Sequence, residues 1–187
     1  TKILDDALLN NEIDIAVHSL KDYPTQAPEN ITIAAVLERG SYQDILVHKG
    51  DTSFLEETQE GLIATGSIRR VAQWKSKFPK HETTNLRGNV QTRLQKLEDN
   101  NWNGAIFAKA GLERIEILPE NHLTLDWMIP APAQGVVGIG CRLADEEIIT
   151  TLREINHEET EIRATVERQF LRTVEGGCSA PVGALCH

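Results

Sequence analysis

At 187 residues the chain is long enough for one sizeable domain or two small ones, and 40% hydrophobic with 25% charged residues is an ordinary make-up for a soluble protein. No apolar run is long enough to span a bilayer, and a net charge of −9 argues against general nucleic-acid binding. Three cysteines spaced 37 and 8 residues apart form neither a zinc pattern nor a disulfide framework, so no metal is expected and a reducing cytoplasm fits best.

The chain opens Thr1-Lys2-Ile3 without an initiator Met or a signal peptide, and Leu4, Leu8 and Leu9 already read as an amphipathic helix over residues 2–10. The start therefore reads as cut into an element. Ile13, Ile15 and Val17 alternate with Asp14, Ala16 and His18, which is strand periodicity. That strand runs out at Ser19-Leu20-Lys21-Asp22, a cation beside an anion where ligand chemistry gathers in open α/β sheets. A carboxylate there can hold a positive charge that forms during a reaction. The plainer alternative is a Lys and an Asp in a solvated turn.

Further strand-like runs cover residues 31–37, 45–48, 62–65, 105–108 and 136–141, and helical patterns cover 68–78, 90–99, 146–156 and 159–174. This alternation predicts an α/β architecture with largely parallel sheets. Glu38-Arg39-Gly40 reads as a turn-like entry and Pro130-Ala131-Pro132-Ala133 as a stiff breaker. The chain is thus expected to enter a second lobe near residue 38 and leave it near residue 132, which makes a hinge with a cleft. The alternative is one continuous sheet.

Residues 65–96 carry eight Lys or Arg against one acid, Glu82, a local charge of +7 in a remainder of −16, which suggests a small anionic ligand. Within them, Thr65-Gly66-Ser67-Ile68-Arg69-Arg70 follows a strand and opens a helix. Thr65 and Ser67 are good caps, but two arginines in the first helical turn oppose the macrodipole. A bound carboxylate or phosphate would explain them; so would ion pairs to nearby acids. Leu86-Arg87-Gly88-Asn89-Val90-Gln91-Thr92-Arg93 repeats the arrangement after a short polar strand, with Asn89 as cap and Arg93 one turn in. Arginine binds carboxylates bidentately, so both corners suit a polycarboxylate. Ala108-Lys109-Ala110-Gly111-Leu112-Glu113-Arg114 is a third such corner. Cys141 reads as a buried apolar filler, and Cys178, in Gly176-Gly177-Cys178-Ser179, as an accessible loop thiol.

His18-Ser19-Leu20-Lys21-Asp22, Ser67-Ile68-Arg69-Arg70, Leu86-Arg87-Gly88-Asn89-Val90 with Thr92-Arg93-Leu94, Ala110-Gly111-Leu112, Gln134-Gly135 and Gly176-Gly177-Cys178 run along nearly the whole chain. In this order and spacing they resemble the porphobilinogen deaminases, or hydroxymethylbilane synthases. The resemblance implies a transferase of tetrapyrrole (haem) biosynthesis. Such an enzyme joins four molecules of its substrate porphobilinogen head to tail, releases ammonia at each addition and yields hydroxymethylbilane. It implies a covalent dipyrromethane cofactor held through a thioether on Cys178. Asp22 matches the catalytic carboxylate, which stabilises the cationic azafulvene left when ammonia departs. Ser19, Lys21, Thr65, Ser67, Arg69, Arg70, Arg87, Arg93, Arg114 and Gln134 match positions that hold primer or substrate. No metal, nucleic acid or membrane is implied, and the full-length protein is expected to be a cytoplasmic monomer.

The implied fold is two-lobed and like type II periplasmic binding proteins, with mixed, mostly parallel sheets and the start of a third α+β domain. Domain 1 then takes residues 1–37 plus 133–156 and domain 2 takes 38–132, while 157–187 begin domain 3 with the cofactor-bearing loop. Three positions depart from the family pattern. Gly66 stands where a serine is usual, which removes one hydroxyl contact. Tyr23 replaces a small aliphatic residue, and Ala133 replaces a glycine. The family's amino-terminal strand and helix and most of its third domain lie outside this sequence. A chain of this extent is expected to expose strand edges and apolar surface, to turn over poorly and to be able to lack its cofactor. The alternative function is a non-catalytic two-lobed binding module for a small polycarboxylate, which leaves Asp22 and Cys178 unexplained.

Overall fold

The computed structural model describes residues 2–174 and 181–187, so Cys178 lies outside the described residues. In chain order the elements are α1 (Lys2–Leu9), β1 (Ala16–Ser19), a 3-10 turn (Leu20–Asp22), β2 (Ile31–Val36), β3 (Asp44–His48), β4 (Leu62–Ala64) and α2 (Ile68–Lys77). There follow β5 (Glu82–Thr84), α3 (Val90–Asp99), β6 (Gly104–Ala108), α4 (Lys109–Glu113), β7 (His122–Thr124), β8 (Val137–Arg142), α5 (Glu146–Arg153) and α6 (Glu158–Thr173). A further 3-10 turn, Ser53–Leu55, precedes β4. Among the described residues no helix is long and apolar enough to cross a membrane.

These elements form two compact units. The first takes in the described residues of Thr1–Tyr42, Ala131–Cys178 and Ala184–His187, and the second those of Gln43–Pro130 and Ser179–Gly183.

In the first unit β8 lies between β1 and β2 and runs antiparallel to both. β1 has the expected period of two, but its facing differs from the apolar pattern. Ala16 and His18 are buried, whereas Ile15 and Val17 are 45% and 56% exposed. α1 packs on the Ala16 side, where Leu8 and Ile31 complete a small core, so the small residue faces inward and the β-branched ones outward. β1 is an edge strand. α5 covers the sheet through Leu152, packed with Ala34, Ala35, Ile139 and Cys141. Cys141 is a fully buried filler whose thiol burial pushes to higher pKa. α6 sends Ala164 into a core of Leu20, Tyr23, Val36, Ala133 and Val136.

The second unit has a five-stranded sheet in the order β5-β4-β6-β3-β7. β4 is parallel to β5 and β6, while β3 is antiparallel to β6 and β7. This sheet is therefore mixed and that of the first unit antiparallel, and among the described residues antiparallel pairings outnumber parallel ones, contrary to the mostly parallel expectation. Parallel pairs arise only where α2 and α3 return the chain from one strand end to the next start. Every residue of β3 is buried because both sheet faces are covered. Ile45, Val47, Ala64, Ala105 and Phe107 face one core with Leu97 of α3, and Leu46, Ile63 and Ile106 face the other with Trp74 of α2. β5 and β7 are short polar edge strands, which is why apolar runs did not reveal their limits.

His81 is buried in the second unit between Trp74 and Phe54. The Trp74 indole donates to Nδ1 at 3.3 Å and Nε2 lies 2.9 Å from the Phe54 carbonyl oxygen. Since the indole only donates, Nε2 carries the proton and the ring is neutral. Burial holds His81 below its ordinary pKa of 6.5, against the Phe54 carbonyl, which favours the charged form. The native state then binds fewer protons than the unfolded chain. Stability from this site is complete above the unfolded value and is lost as pH falls through the lower native one. All three tryptophans lie in this unit. Tryptophan fluorescence in urea is expected to show a lower midpoint at about pH 5.5 than at about pH 7.5, with a flatter dependence for His81→Gln. An unchanged slope in that variant would remove His81 as the cause.

Candidate active site

Within the first unit, β1 delivers Ser19, Lys21 and Asp22 to its carboxyl end. Ser19 and Asp22 are exposed and Lys21 is half-buried. Asp22 ends the 3-10 turn, and its carboxylate has no hydrogen bond or ion pair among the described residues. Lys21 Nζ lies 3.5 Å from the Gln134 side-chain oxygen. Gln134 is fully buried, and its amide nitrogen donates to the Tyr42 carbonyl at 2.8 Å. It sits between Ala133 at φ +58° and Gly135 at φ +86°. A Cβ on Gly135 would stand 2.8 Å from the carbonyl oxygens of Gly40 and Ser41, so only glycine passes here.

Two neighbouring residues of α6 hold this region. Glu167, 1% exposed, accepts from Arg39 at 2.7 and 3.2 Å, from the Ala133 amide at 2.6 Å and from the Cys186 amide at 2.8 Å. Arg168 donates to the carbonyls of Leu20, Tyr23 and Pro24. Beneath the Asp22 turn, the His18 ring lies 4.6 Å from that of Tyr23, tilted by 46°, and 3.8 Å from Asp5. Burial raises the Tyr23 phenol to about 12, with Asp5 adding to the rise, and lowers the His18 imidazole.

In the second unit the parallel strands β4 and β5 end in two adjoining turns. Thr65 is buried; its amide donates to the Thr84 carbonyl at 2.9 Å and its hydroxyl accepts from the Ser67 amide at 3.3 Å. Ser67 occupies the cap position of α2 without a side-chain cap bond, so Thr65 satisfies its own turn and the Ser67 hydroxyl does not cap. A Cβ on Gly66 would lie 2.5 Å from the Leu86 carbonyl oxygen and 3.8 Å from Arg87 Cδ. Glycine at 66 thus lets the two turns close on each other, a physical reason for that departure from the family pattern. Arg87 is exposed at this junction. Asn89 caps α3 as expected, accepting from the Thr92 amide at 2.8 Å. Arg93, half-buried, folds back to the Gly88 carbonyl at 2.7 Å. Arg114 is exposed at the carboxyl end of α4.

Arg69 and Arg70 are placed differently from the rim of a pocket. They are 3% and 6% exposed and converge on Asp44, which is 0% exposed. Arg69 Nη2 meets Asp44 at 2.7 Å, and Arg70 reaches it at 2.8 and 3.2 Å. Arg69 also donates to the Ile129 carbonyl and Arg70 to that of Ile106. The carboxylate inferred from cations at a helix start is therefore the chain's own Asp44. Two cations against one anion leave this buried cluster with net positive charge beneath the β4 and β5 turns.

Asp44, Glu167 and Arg168 escaped the motif reading. Two of them left a trace: Asp44 heads the apolar run Ile45-Leu46-Val47, and Thr160, Ala164, Glu167 and Leu171 share one helical stripe that turns Glu167 inward.

The family model described as porphobilinogen deaminase, dipyromethane cofactor binding domain, matches residues 1–150. A probable porphobilinogen deaminase of Methanocaldococcus jannaschii is 47% identical over 187 residues, covering 99% of this chain and 63% of the relative. The porphobilinogen deaminase of Chloroherpeton thalassium is 40% identical, with 98% and 59% covered. The chain thus spans about three fifths of these relatives. Among solved structures, the VFT2 domain of Bordetella pertussis BvgS (double mutant) matches with TM-score 0.50 at 10% identity, over 93% of this chain and 72% of that one. A periplasmic binding protein from Brucella ovis matches with TM-score 0.50 at 12% identity, over 79% and 48%. These likenesses establish the fold, of periplasmic-binding-protein type. The ordered motifs, the exposed acid after β1 and close relatives along its whole length agree that this chain belongs to the porphobilinogen deaminase family.

Proposed function

We propose that this chain forms the catalytic part of a cytoplasmic hydroxymethylbilane synthase, which condenses porphobilinogen head to tail with release of ammonia. The observation that carries the reading is Asp22: an exposed carboxylate without a partner among the described residues, on a turn anchored from below. The free thiols of Cys141 and Cys186 suit a reducing compartment.

The donor set fits dipyrromethane, whose side chains are carboxylates. Ser67, Arg87 and Arg93 on the adjoining turns of the second unit supply hydroxyl and guanidinium donors. Arg69 and Arg70 add positive potential from beneath while held by Asp44. Ser19, Lys21, Gln134, Thr65 and Arg114 complete the proposed set, and Cys178 carries the thioether. When bound, the cofactor supplies the nucleophilic pyrrole carbon that starts the chain. Asp22 accepts the pyrrole N–H of the substrate and stabilises the positive charge that forms as ammonia leaves. The arginines neutralise carboxylates as the oligomer grows and fix its register.

Intact mass spectrometry of the protein expressed from its whole reading frame tests this. A dipyrromethane adduct lost in Cys178→Ala, together with consumption of porphobilinogen and release of ammonia, is expected. Unmodified protein that leaves porphobilinogen untouched would refute the assignment.

A further inference from the structure

We propose that Arg168 is a positioning residue for Asp22, an inference that rests on the deaminase reading above. The Asp22 turn is weakly built on its own. It is one 3-10 turn closed by a 3.3 Å bond from the Tyr23 amide to the Leu20 carbonyl, and its start is tied by the Leu20 amide to Val136 at 3.0 Å. Arg168 supplies what the turn lacks. Its Nη1 donates to Leu20 at 2.9 Å and to Tyr23 at 3.0 Å, and its Nη2 donates to Pro24. One planar guanidinium thus gathers carbonyls from both sides of Asp22.

The side chains on either side are fixed as well. Leu20 and Tyr23 are 3% and 1% exposed in the core that Ala164 of α6 completes. The Arg168 guanidinium carbon lies 6.0 Å from the Tyr23 ring centroid, whose other neighbour is His18 at 4.6 Å. Asp22 is the exposed end of a turn whose backbone is held at three points. A lysine keeps the charge but not the fork that spans those carbonyls, so this is a role for guanidinium geometry. Without the clamp the turn is free to drift, and displacement of a reacting group by about 1 Å is worth on the order of a hundredfold in rate.

The test is a double-mutant cycle in the whole-reading-frame protein, with rates expressed per cofactor-loaded molecule counted by intact mass. Arg168→Met, which keeps the packing stem, is expected to lower kcat at least about tenfold with little change in KM. Arg168→Lys should fall between it and the parent. In the Asp22→Asn background the same substitution should change the residual rate less than about twofold, because its effect passes through Asp22. Equal losses in both backgrounds would overturn the positioning role while leaving the deaminase reading intact. An Asp22→Asn variant with undiminished turnover would instead remove Asp22 from the chemistry and take the clamp's role with it. If Arg168→Met does not fold, Arg168→Lys carries the same cycle.

Discussion

Asp44→Ala is expected to destabilise the second unit by about 3–5 kcal/mol, the usual consequence of leaving buried charge without its partner. Asp44 is fully buried and joined by two guanidinium groups that are themselves 3% and 6% exposed. Arginine does not shed its proton at working pH, although burial pulls Arg69 below the usual guanidinium range. Removing the carboxylate therefore strands two cations side by side on the first turn of α2, where the helix dipole also opposes them. The remaining acceptors, the carbonyls of Ile129 and Ile106, carry no net charge. Tryptophan fluorescence in urea reports on this unit. Asp44→Asn, which keeps an acceptor, should fall between the two. A loss below about 1 kcal/mol would mean that the arginines find water or another anion in place of Asp44.

Asp22→Asn is expected to keep the cofactor and fold while lowering turnover roughly a thousandfold. A carboxylate about 4 Å from a unit positive charge at an effective dielectric near 20 is worth about 4 kcal/mol, an upper-order figure, and asparagine loses that term. Asp22 is exposed and supports no other described side chain, so stability should shift by less than about 0.5 kcal/mol. Activity and stability thus separate in this variant and coincide in Asp44→Ala. Single-turnover kinetics on cofactor-loaded protein decides the matter: an unchanged rate would dismiss the catalytic role.

Most of the fold was legible because its strands show as short apolar runs and its helices carry 3.6-residue apolar patterns, although the alternation of β1 pointed its apolar side the wrong way. The polar edge strands β5 and β7 lacked that signal, and strand direction, a property of long-range pairing, left none. The strand–turn–helix corners were legible through glycine and capping residues, and Asn89 caps as read. What stayed hidden was pairing. The sequence marks Arg69 and Arg70 as unusual cations at a helix start, but their acid lies 25 and 26 residues earlier on another strand. Likewise Arg168 looks like one more charge on a polar helix until the fold brings it to the backbone of Leu20 and Tyr23, at sequence separations of 148 and 145.

The strand order β1-β8-β2 bears on how the chain is made. β1 and β2 emerge from the ribosome before β8 but do not pair with each other; each pairs with β8, which is synthesised only after the whole of Gln43–Pro130. The second unit is mainly one contiguous stretch and can collapse while translation continues, whereas the amino-terminal strands wait for their shared neighbour. Nascent chains stalled before Val137 should therefore be protease-resistant from Gln43 onward and cleavable ahead of it, and that interval is when an unpaired β1 is most open to wrong partners.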